Sequence, residues 1–245
     1  MDSSAHAGNC QPTRWSLVLR AGDARDPAAR AALDELCREY WQPLRSFARR
    51  RGLGPEDAED ATQSFFALIL EKETLAHADP QRGKLRTYLL TAFTRHLINL
   101  AAHRSAEKRG GGCAPISLEA AAEEGRADLE PSDEHTPERL FHRQWALTVL
   151  AKTLAALEAQ WTADGRAGEF VALRPFLDFS GEESGPSYHA VAAQLGGTVG
   201  AARVAVHRLR KRYREALFAE IGGTLDDPSP EAIKEEIQAL FAALG

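Results

Sequence analysis

Positive charge is concentrated in one segment near the C-terminal end of the chain. Residues 203–214 include six Lys or Arg and no Asp or Glu, a local charge of +6. Arginine pairs with phosphate, and with the edge of guanine, through two parallel hydrogen bonds. A solvated basic helix would normally mix its cations with glutamates, so we interpret this segment as a DNA-binding surface. Its candidate contact residues are Arg203, His207, Arg208, Arg210, Lys211 and Arg212.

The apolar pattern places this basic segment in the second helix of a helix-turn-helix. A helix over 199–218 would bury one side against a shorter helix over 188–195, which Ser187 can cap. The residues at three-to-four spacing that predict the buried side are Ala202, Val206, Leu209 and Tyr213. Gly196-Gly197-Thr198 forms a three-residue turn between the two helices. A short turn followed by a basic helix is typical of DNA-binding helix-turn-helix proteins.

A second cationic segment lies in the first half of the chain. Residues 82–109 include seven Lys or Arg and one acid, again a local charge of +6. Tyr88 and Phe93 are interleaved with these cations, and aromatic rings can stack on bases while cations follow the phosphates of a single strand. Aromatic residues at helical spacing are also common in a helical core, so both interpretations stay open. The candidate DNA-binding residues are Arg86, Tyr88, Arg95, His96, Asn99, Arg104, Lys108 and Arg109.

Acidic residues open a predicted helix that begins at Pro55. They complement the partial positive charge of a helix N-terminus, which is their simplest explanation. Phe65 and Phe66 are adjacent, however, and one narrow stripe cannot bury both. We therefore expect one exposed aromatic ring beside the carboxylates, and hence a protein-binding surface. The candidate residues of this surface are Asp57, Glu59, Asp60, Gln63, Phe65 and Phe66.

Composition and charge predict an all-α fold with two helical domains. Ala, Leu, Arg and Glu dominate the 245 residues, and β-branched residues are few. The net charge is only −5, because residues 117–138 carry eight acids and one arginine between the two basic segments. Pro43 is expected to kink or break a helix over 28–51. The predicted organisation is a disordered N-terminus (1–12), a helical domain (13–112), an acidic flexible linker (113–137), a helix-turn-helix domain (138–219) and a C-terminal extension with an amphipathic helix (220–245).

Several classes of protein are not indicated by any pattern in the chain. The longest apolar run, Phe65 to Leu70, is too short to span a membrane, and residues 1–11 lack the apolar region of a secretory signal. We therefore expect a cytoplasmic protein without membrane insertion. Cys10, Cys37 and Cys113 have no zinc-site spacing. Phosphate-binding glycine loops, H-E-x-x-H and G-x-S-x-G are missing from the sequence, so we expect neither an enzyme nor a bound cofactor.

Three segments, in order along the chain, resemble the extracytoplasmic-function (ECF) family of RNA polymerase sigma factors. Residues 187–192 and 198–210 are similar to the family's second helix-turn-helix. Residues 55–66 are similar to its polymerase-docking helix, and residues 85–89 followed by Asn99 to its promoter-melting helix. This resemblance implies that the two predicted domains are sigma regions 2 and 4.

The resemblance also implies partners for each segment. Core RNA polymerase and promoter DNA would be the partners. Asp57 to Phe66 would meet the clamp helices of the largest polymerase subunit. Arg86 through Arg109 would engage the non-template strand of the minus-ten element, and Arg203 and Arg208 would enter the major groove at the minus-thirty-five element.

The chain departs from the family pattern at several places. Ser64 stands where an acid is common, and Tyr88 stands where tryptophan is common. Residues 160–186 are longer than usual, and the tail after Phe218 is extra. These features resemble a branch found beside serine/threonine kinases. They make Thr62 and Ser64 candidates for phosphorylation, with a kinase or an anti-sigma factor as a further partner.

Two other functions stay open from the sequence. A helix-turn-helix regulator that acts without polymerase would not need the surface at 57–66 and would usually dimerise. A sigma mimic that titrates an inhibitor would not need two basic segments. An enzyme is the least supported alternative.

Overall fold

The computed structural model describes residues 27, 29–71, 84–109, 136–177, 187–225 and 228–245. Within these residues the secondary structure is helical without a strand, which confirms the predicted all-α class. The helices are α1 (Ala29–Arg50), α2 (Pro55–Glu71), α3 (Leu85–Arg109), α4 (Pro137–Ala163), α5 (Ala167–Leu173), α6 (Tyr188–Gln194), α7 (Val199–Gly222) and α8 (Pro230–Ala242). The predicted disordered N-terminus, and the predicted linker up to residue 135, lie outside the described residues.

The chain divides into two compact units. Unit 1 comprises the described residues up to Ala146 together with Gly222–Gly245, and unit 2 comprises Leu147–Ile221. The sequence-based division differs, because it assigned 138–146 to the helix-turn-helix domain and 220–245 to a separate extension. Trp145 and the side chains of α8 contact α3 directly, which groups both segments with unit 1.

The core of unit 1 is built from aromatic side chains on its first three helices. Phe47 on α1 and Phe65 on α2 both pack on Phe93 of α3, with ring centroids 6.2 and 5.1 Å apart. Helix α1 continues through Pro43, so of the two predicted outcomes, a kink or a break, the break does not occur. Residues on both sides of Pro43, including Tyr40, are fully buried, and this packing offsets the backbone hydrogen bond that proline cannot make.

Unit 2 contains the helix-turn-helix. Ser187 caps α6 as predicted, because its side-chain oxygen accepts a hydrogen bond from the Ala190 backbone N–H at 3.2 Å. Gly196 has a φ of +64° in the turn that follows, a conformation that glycine adopts without steric cost. Helix α7 then packs its apolar side into the unit, together with the buried Trp161 and Phe170.

Candidate nucleic-acid and polymerase interfaces

Helix α7 buries the side that the apolar spacing predicted. Ala202, Val206, Leu209 and Tyr213 are all buried. The residues predicted to bind DNA are exposed: Arg203, His207, Arg208, Arg210, Lys211 and Arg212. The helix therefore separates an apolar side that holds the unit together from a cationic side that faces solvent.

Three of these cations are held in place by neighbouring groups. The Arg203 guanidinium lies 5.6 Å from the Tyr188 ring, and the Arg212 guanidinium lies 5.6 Å from the Trp161 ring. Arg210 donates from Nε to the Phe176 carbonyl at 3.1 Å. These contacts reduce the conformational freedom of long side chains, so less entropy is lost when they bind a ligand.

Arg208 and Lys211 lie on the side of α7 that borders an open groove of about 570 Å³. Lys211 reaches Glu215 only at 3.8 Å, and both side chains are more than half exposed, so this ion pair is weak. The wall of the groove includes Val204, which is 49% exposed. This side of the helix combines cations with an apolar side chain of the kind that contacts the thymine methyl group.

The sequence-based reasoning missed two exposed apolar side chains, Val204 on α7 and Ile98 on α3. They are 49% and 56% exposed, respectively. The available signal was their position: each is an apolar residue that falls outside the buried stripe of its helix. Each lies beside residues that were predicted to bind DNA.

On α3, the predicted DNA-binding residues do not form one exposed surface. Arg104 is exposed and forms an ion pair with Asp57 of α2, with Nη2 and Oδ1 2.8 Å apart. Four others are half-buried: Tyr88, Arg95, His96 and Asn99. Lys108 and Arg109 lie on α3, but their side chains are outside the described part of the chain.

Arg86, which the sequence places among the DNA-binding residues, does not lie on the accessible surface of α3. Its side chain is 8% exposed and forms an ion pair with Glu236 of α8. The guanidinium also lies 4.5 Å from the Trp145 ring. Burial lowers the pKa of Arg86, and the negative charge of Glu236 opposes this shift. A carboxylate 150 residues away thus occupies the position where the sequence predicted a DNA contact.

His96 connects α3 to α2. Its Nε2 atom lies 2.8 Å from the Ser64 hydroxyl oxygen in a hydrogen bond, and its ring packs on Phe65 and Phe93. Burial lowers the pKa of His96, although a hydrogen bond to the Ala61 backbone opposes the shift. The imidazole is therefore neutral at pH 7 and serves as a packing residue between the two helices.

Both aromatic rings of the adjacent pair on α2 are buried, so the expectation of one exposed ring is wrong. Phe65 is 2% exposed and Phe66 is 4% exposed. Phe65 packs on Phe93 of α3, whereas Phe66 stacks on Trp41 of α1 with centroids 6.0 Å apart. Helix α2 is covered from two directions, and its buried surface is wider than one stripe.

The polar side of α2 remains accessible. Glu59, Asp60 and Gln63 are exposed, and the Asp57 side chain is 50% exposed. Thr62 is fully buried and donates from its hydroxyl to the Ala58 carbonyl at 2.7 Å. In the folded unit, Thr62 is thus closed to a kinase, which corrects its prediction as a phosphorylation site.

The described part of the chain has neither a candidate metal site nor a candidate membrane span. Its His, Cys, Asp and Glu side chains form no group of three that could hold a metal ion. None of its helices has the length and apolar character needed to cross a membrane.

Comparisons with known proteins point to one family. The family model described as ECF sigma factor matches residues 16–208. The chain is 26% identical over 207 residues to the ECF RNA polymerase sigma factor SigE of Mycolicibacterium smegmatis, a match that covers 84% of this chain and 68% of that protein. No solved structure matches. Helix α8 lies beyond the last residue that the family model covers.

Proposed function

This chain belongs to the ECF sigma factor family, and from that membership we propose which of its surfaces performs each part of the family's work. As an RNA polymerase sigma factor, the protein directs promoter-specific transcription initiation. It binds core RNA polymerase and promoter DNA.

The exposed side of α7 reads the minus-thirty-five element in the major groove. The observation that carries this assignment is the cationic surface over 203–214, which has no carboxylate and follows a capped helix and a tight turn. Arg208 and Val204 are placed to meet base edges, since both line the open side of the helix. Arg203, His207, Arg210, Lys211 and Arg212 supply contacts to phosphates, which fix the position of the helix on the duplex.

The middle of α3 engages the non-template strand of the minus-ten element. Arg95, Asn99 and Arg104 provide cationic and amide groups along one helix, and Tyr88 provides a ring for stacking. Lys108 and Arg109 extend the charge toward the end of the helix. Arg86 contributes only if its pairing with Glu236 is released.

The polar side of α2 docks on the clamp helices of the largest polymerase subunit. Asp57, Glu59, Asp60 and Gln63 form the contact surface. The buried Phe65 and Phe66 act indirectly, because they fix α2 between α1 and α3 and thereby hold the carboxylates in position.

Control by another protein acts through the same surface. Ser64 is the remaining phosphorylation candidate for a serine/threonine kinase, since it is only half-buried and lies next to the docking residues. An anti-sigma factor would inhibit most directly by covering α2 or α7. The protein works in the cytoplasm and carries out no catalysis of its own, because polymerase performs the chemistry.

The test is reconstitution with core RNA polymerase. The purified chain should yield promoter-dependent transcripts that core enzyme alone does not produce. Asp60→Ala combined with Gln63→Ala should weaken association with core enzyme, whereas Arg208→Ala should leave association intact and reduce transcription. Normal transcription by the Asp60/Gln63 variant would disprove the α2 assignment. Tight duplex binding by a dimer of the chain, without any association with polymerase, would favour a regulator of the simple helix-turn-helix type.

A further inference from the structure

Glu236 of α8 is buried in unit 1 and pairs with two cations, the buried Arg86 and the partly exposed Lys84. Its side chain is 2% exposed, and it contacts Lys84, which directly precedes α3, and Arg86 in the first turn of α3. Arg86 donates from Nη2 to Oε2 at 3.2 Å, and its Nε lies 3.0 Å from Oε1 in the same ion pair. Lys84 Nζ lies 2.5 Å from Oε2. The two cations therefore form an anion site that the C-terminal helix fills with its own carboxylate.

The surroundings of this site favour a single bound anion. The Trp145 ring lies 4.5 Å from the Arg86 guanidinium and keeps water away from one side. Burial, followed by the charges of Arg86 and Lys84, lowers the pKa of His142 to about 4. His142 is thus neutral at pH 7 and neither repels nor balances the cations. Lys84 and Arg86 both contact the one carboxylate of Glu236.

A phosphate group can replace this carboxylate. A guanidinium pairs with either anion, and an ammonium group supports both. Arg86 is the second residue of α3, the helix to which we assign the minus-ten strand. Our inference rests on that proposed function.

Few buried side chains hold helix α8 in place. With 13 residues it is too short to be stable when detached, so it depends on its contacts with unit 1. Glu236 and Leu240 are its buried side chains. A buried ion pair contributes little net stability, because removing both charges from water costs nearly as much as their attraction returns. Exchange of the Glu236 carboxylate for a phosphate keeps Arg86 paired, and it releases counterions from the DNA.

We propose that α8 is an autoinhibitory latch, in which Glu236 occupies the phosphate site formed by Lys84 and Arg86 until promoter DNA displaces it. In the free protein the latch neutralises Lys84 and Arg86 and weakens binding to single strands. In the initiation complex α8 leaves the site, and Arg86 takes a phosphate of the non-template strand.

The variant that tests the latch is Glu236→Gln, with Glu235→Gln as its matched control. Both remove one negative charge from α8, but Glu235 is exposed whereas Glu236 is buried. The full-length proteins would be titrated by fluorescence anisotropy into a 20-nucleotide single strand of mixed sequence. Glu236→Gln should bind about fivefold more tightly or better, and Glu235→Gln should bind as wild type does. Unchanged or weaker binding by Glu236→Gln would overturn the latch.

A second measurement needs no variant. Hydrogen exchange at the α8 amides of the wild-type protein should be slow in the free chain and faster after the single strand is added. Equal protection of α8 in both states would also overturn the latch, even if Glu236→Gln fails to fold.

Arg95→Ala separates failure of the latch from failure of the α3 assignment. If Arg95→Ala binds the single strand as well as wild type does, α3 is not the strand-binding surface, and the proposed function fails first. The latch alone is wrong if Arg95→Ala binds the single strand weakly but the two latch tests fail. In that case Glu236→Gln binds no more tightly than wild type, and the α8 amides are equally protected with and without the strand.

Discussion

Arg208 and Arg212 lie one helical turn apart on α7, and the structure predicts different consequences for their loss. Both side chains are exposed and border the same groove. The Arg212 guanidinium lies over Trp161, which Arg166 also covers at 4.2 Å. Arg208→Ala should therefore remove a DNA contact without loss of packing, whereas Arg212→Ala should remove a packing contact together with its charge.

The two variants should differ in what they lose, sequence preference in one and stability together with overall affinity in the other. A side chain that reads a base edge contributes about 1–3 kcal/mol of discrimination, and a difference of this size changes affinity by about 5- to 150-fold. Arg208→Ala should reduce the preference for the promoter duplex by that factor. Arg212→Ala should reduce the stability of unit 2 by about 0.5–1 kcal/mol. It should also weaken binding to every duplex by the same factor. The slope of log K against log salt should become about 0.9 smaller in magnitude if one phosphate contact is lost.

The assay compares two duplexes at several salt concentrations. One carries the minus-thirty-five sequence of a promoter transcribed by the reconstituted polymerase, and the other carries the same bases in scrambled order. Full-length wild type and both variants would be titrated by fluorescence anisotropy, and urea denaturation would report stability. If Arg208→Ala loses the same affinity for both duplexes, this residue does not read a base. If only Arg212→Ala loses the preference for the promoter duplex, Arg212 is the residue that reads a base and Arg208 is not.

Three further predictions concern stability and are measured by urea denaturation. Gly196→Ala should destabilise unit 2 by about 1–2 kcal/mol, because φ is +64° at this position. Gly197→Ala is the control, since a methyl group added there meets only ordinary contacts. Equal losses of stability in the two variants would refute this explanation. Thr62→Glu should lower the free energy of unfolding by about 3–5 kcal/mol, because it buries an unpaired charge, whereas Ser64→Asp should fold normally. A Thr62→Glu variant as stable as wild type would contradict the burial of Thr62. The His142 pKa of about 4 lies below the value of an unfolded chain, so the unfolded state takes up the proton first and stability falls with decreasing pH. The loss should reach about 2 kcal/mol between pH 7 and pH 5, and a His142→Asn variant with the same pH dependence would rule out this residue as the cause.

Features that depend on one helix and one neighbour could be predicted from the sequence. The buried side of α7 follows from the spacing of residues such as Val206 and Leu209, because a helix that packs in one direction shows one stripe. The Ser187 cap is equally local, since the bond joins residues three positions apart. The family followed from motifs of this kind, and the match to ECF sigma factors confirms it.

Features that depend on several neighbours were predicted incorrectly. Phe66 is buried because α2 has packing partners on two sides, and Trp41 was not recognised as one of them. The sequence around Arg86 predicts an exposed cation. Its partner Glu236 lies in a helix that the sequence-based division treated as a separate extension. A pattern within one segment carries no information about such distant contacts.

The separation between Arg86 and Glu236 also sets an order of events during synthesis. The ribosome adds the carboxylate 150 residues after the guanidinium, and at about 5–20 residues per second this interval lasts roughly 8–30 seconds. All of unit 2 is made within it. A nascent chain therefore carries an unpaired Arg86 until translation has passed α8, so the step that neutralises this arginine comes after the helix-turn-helix has left the ribosome.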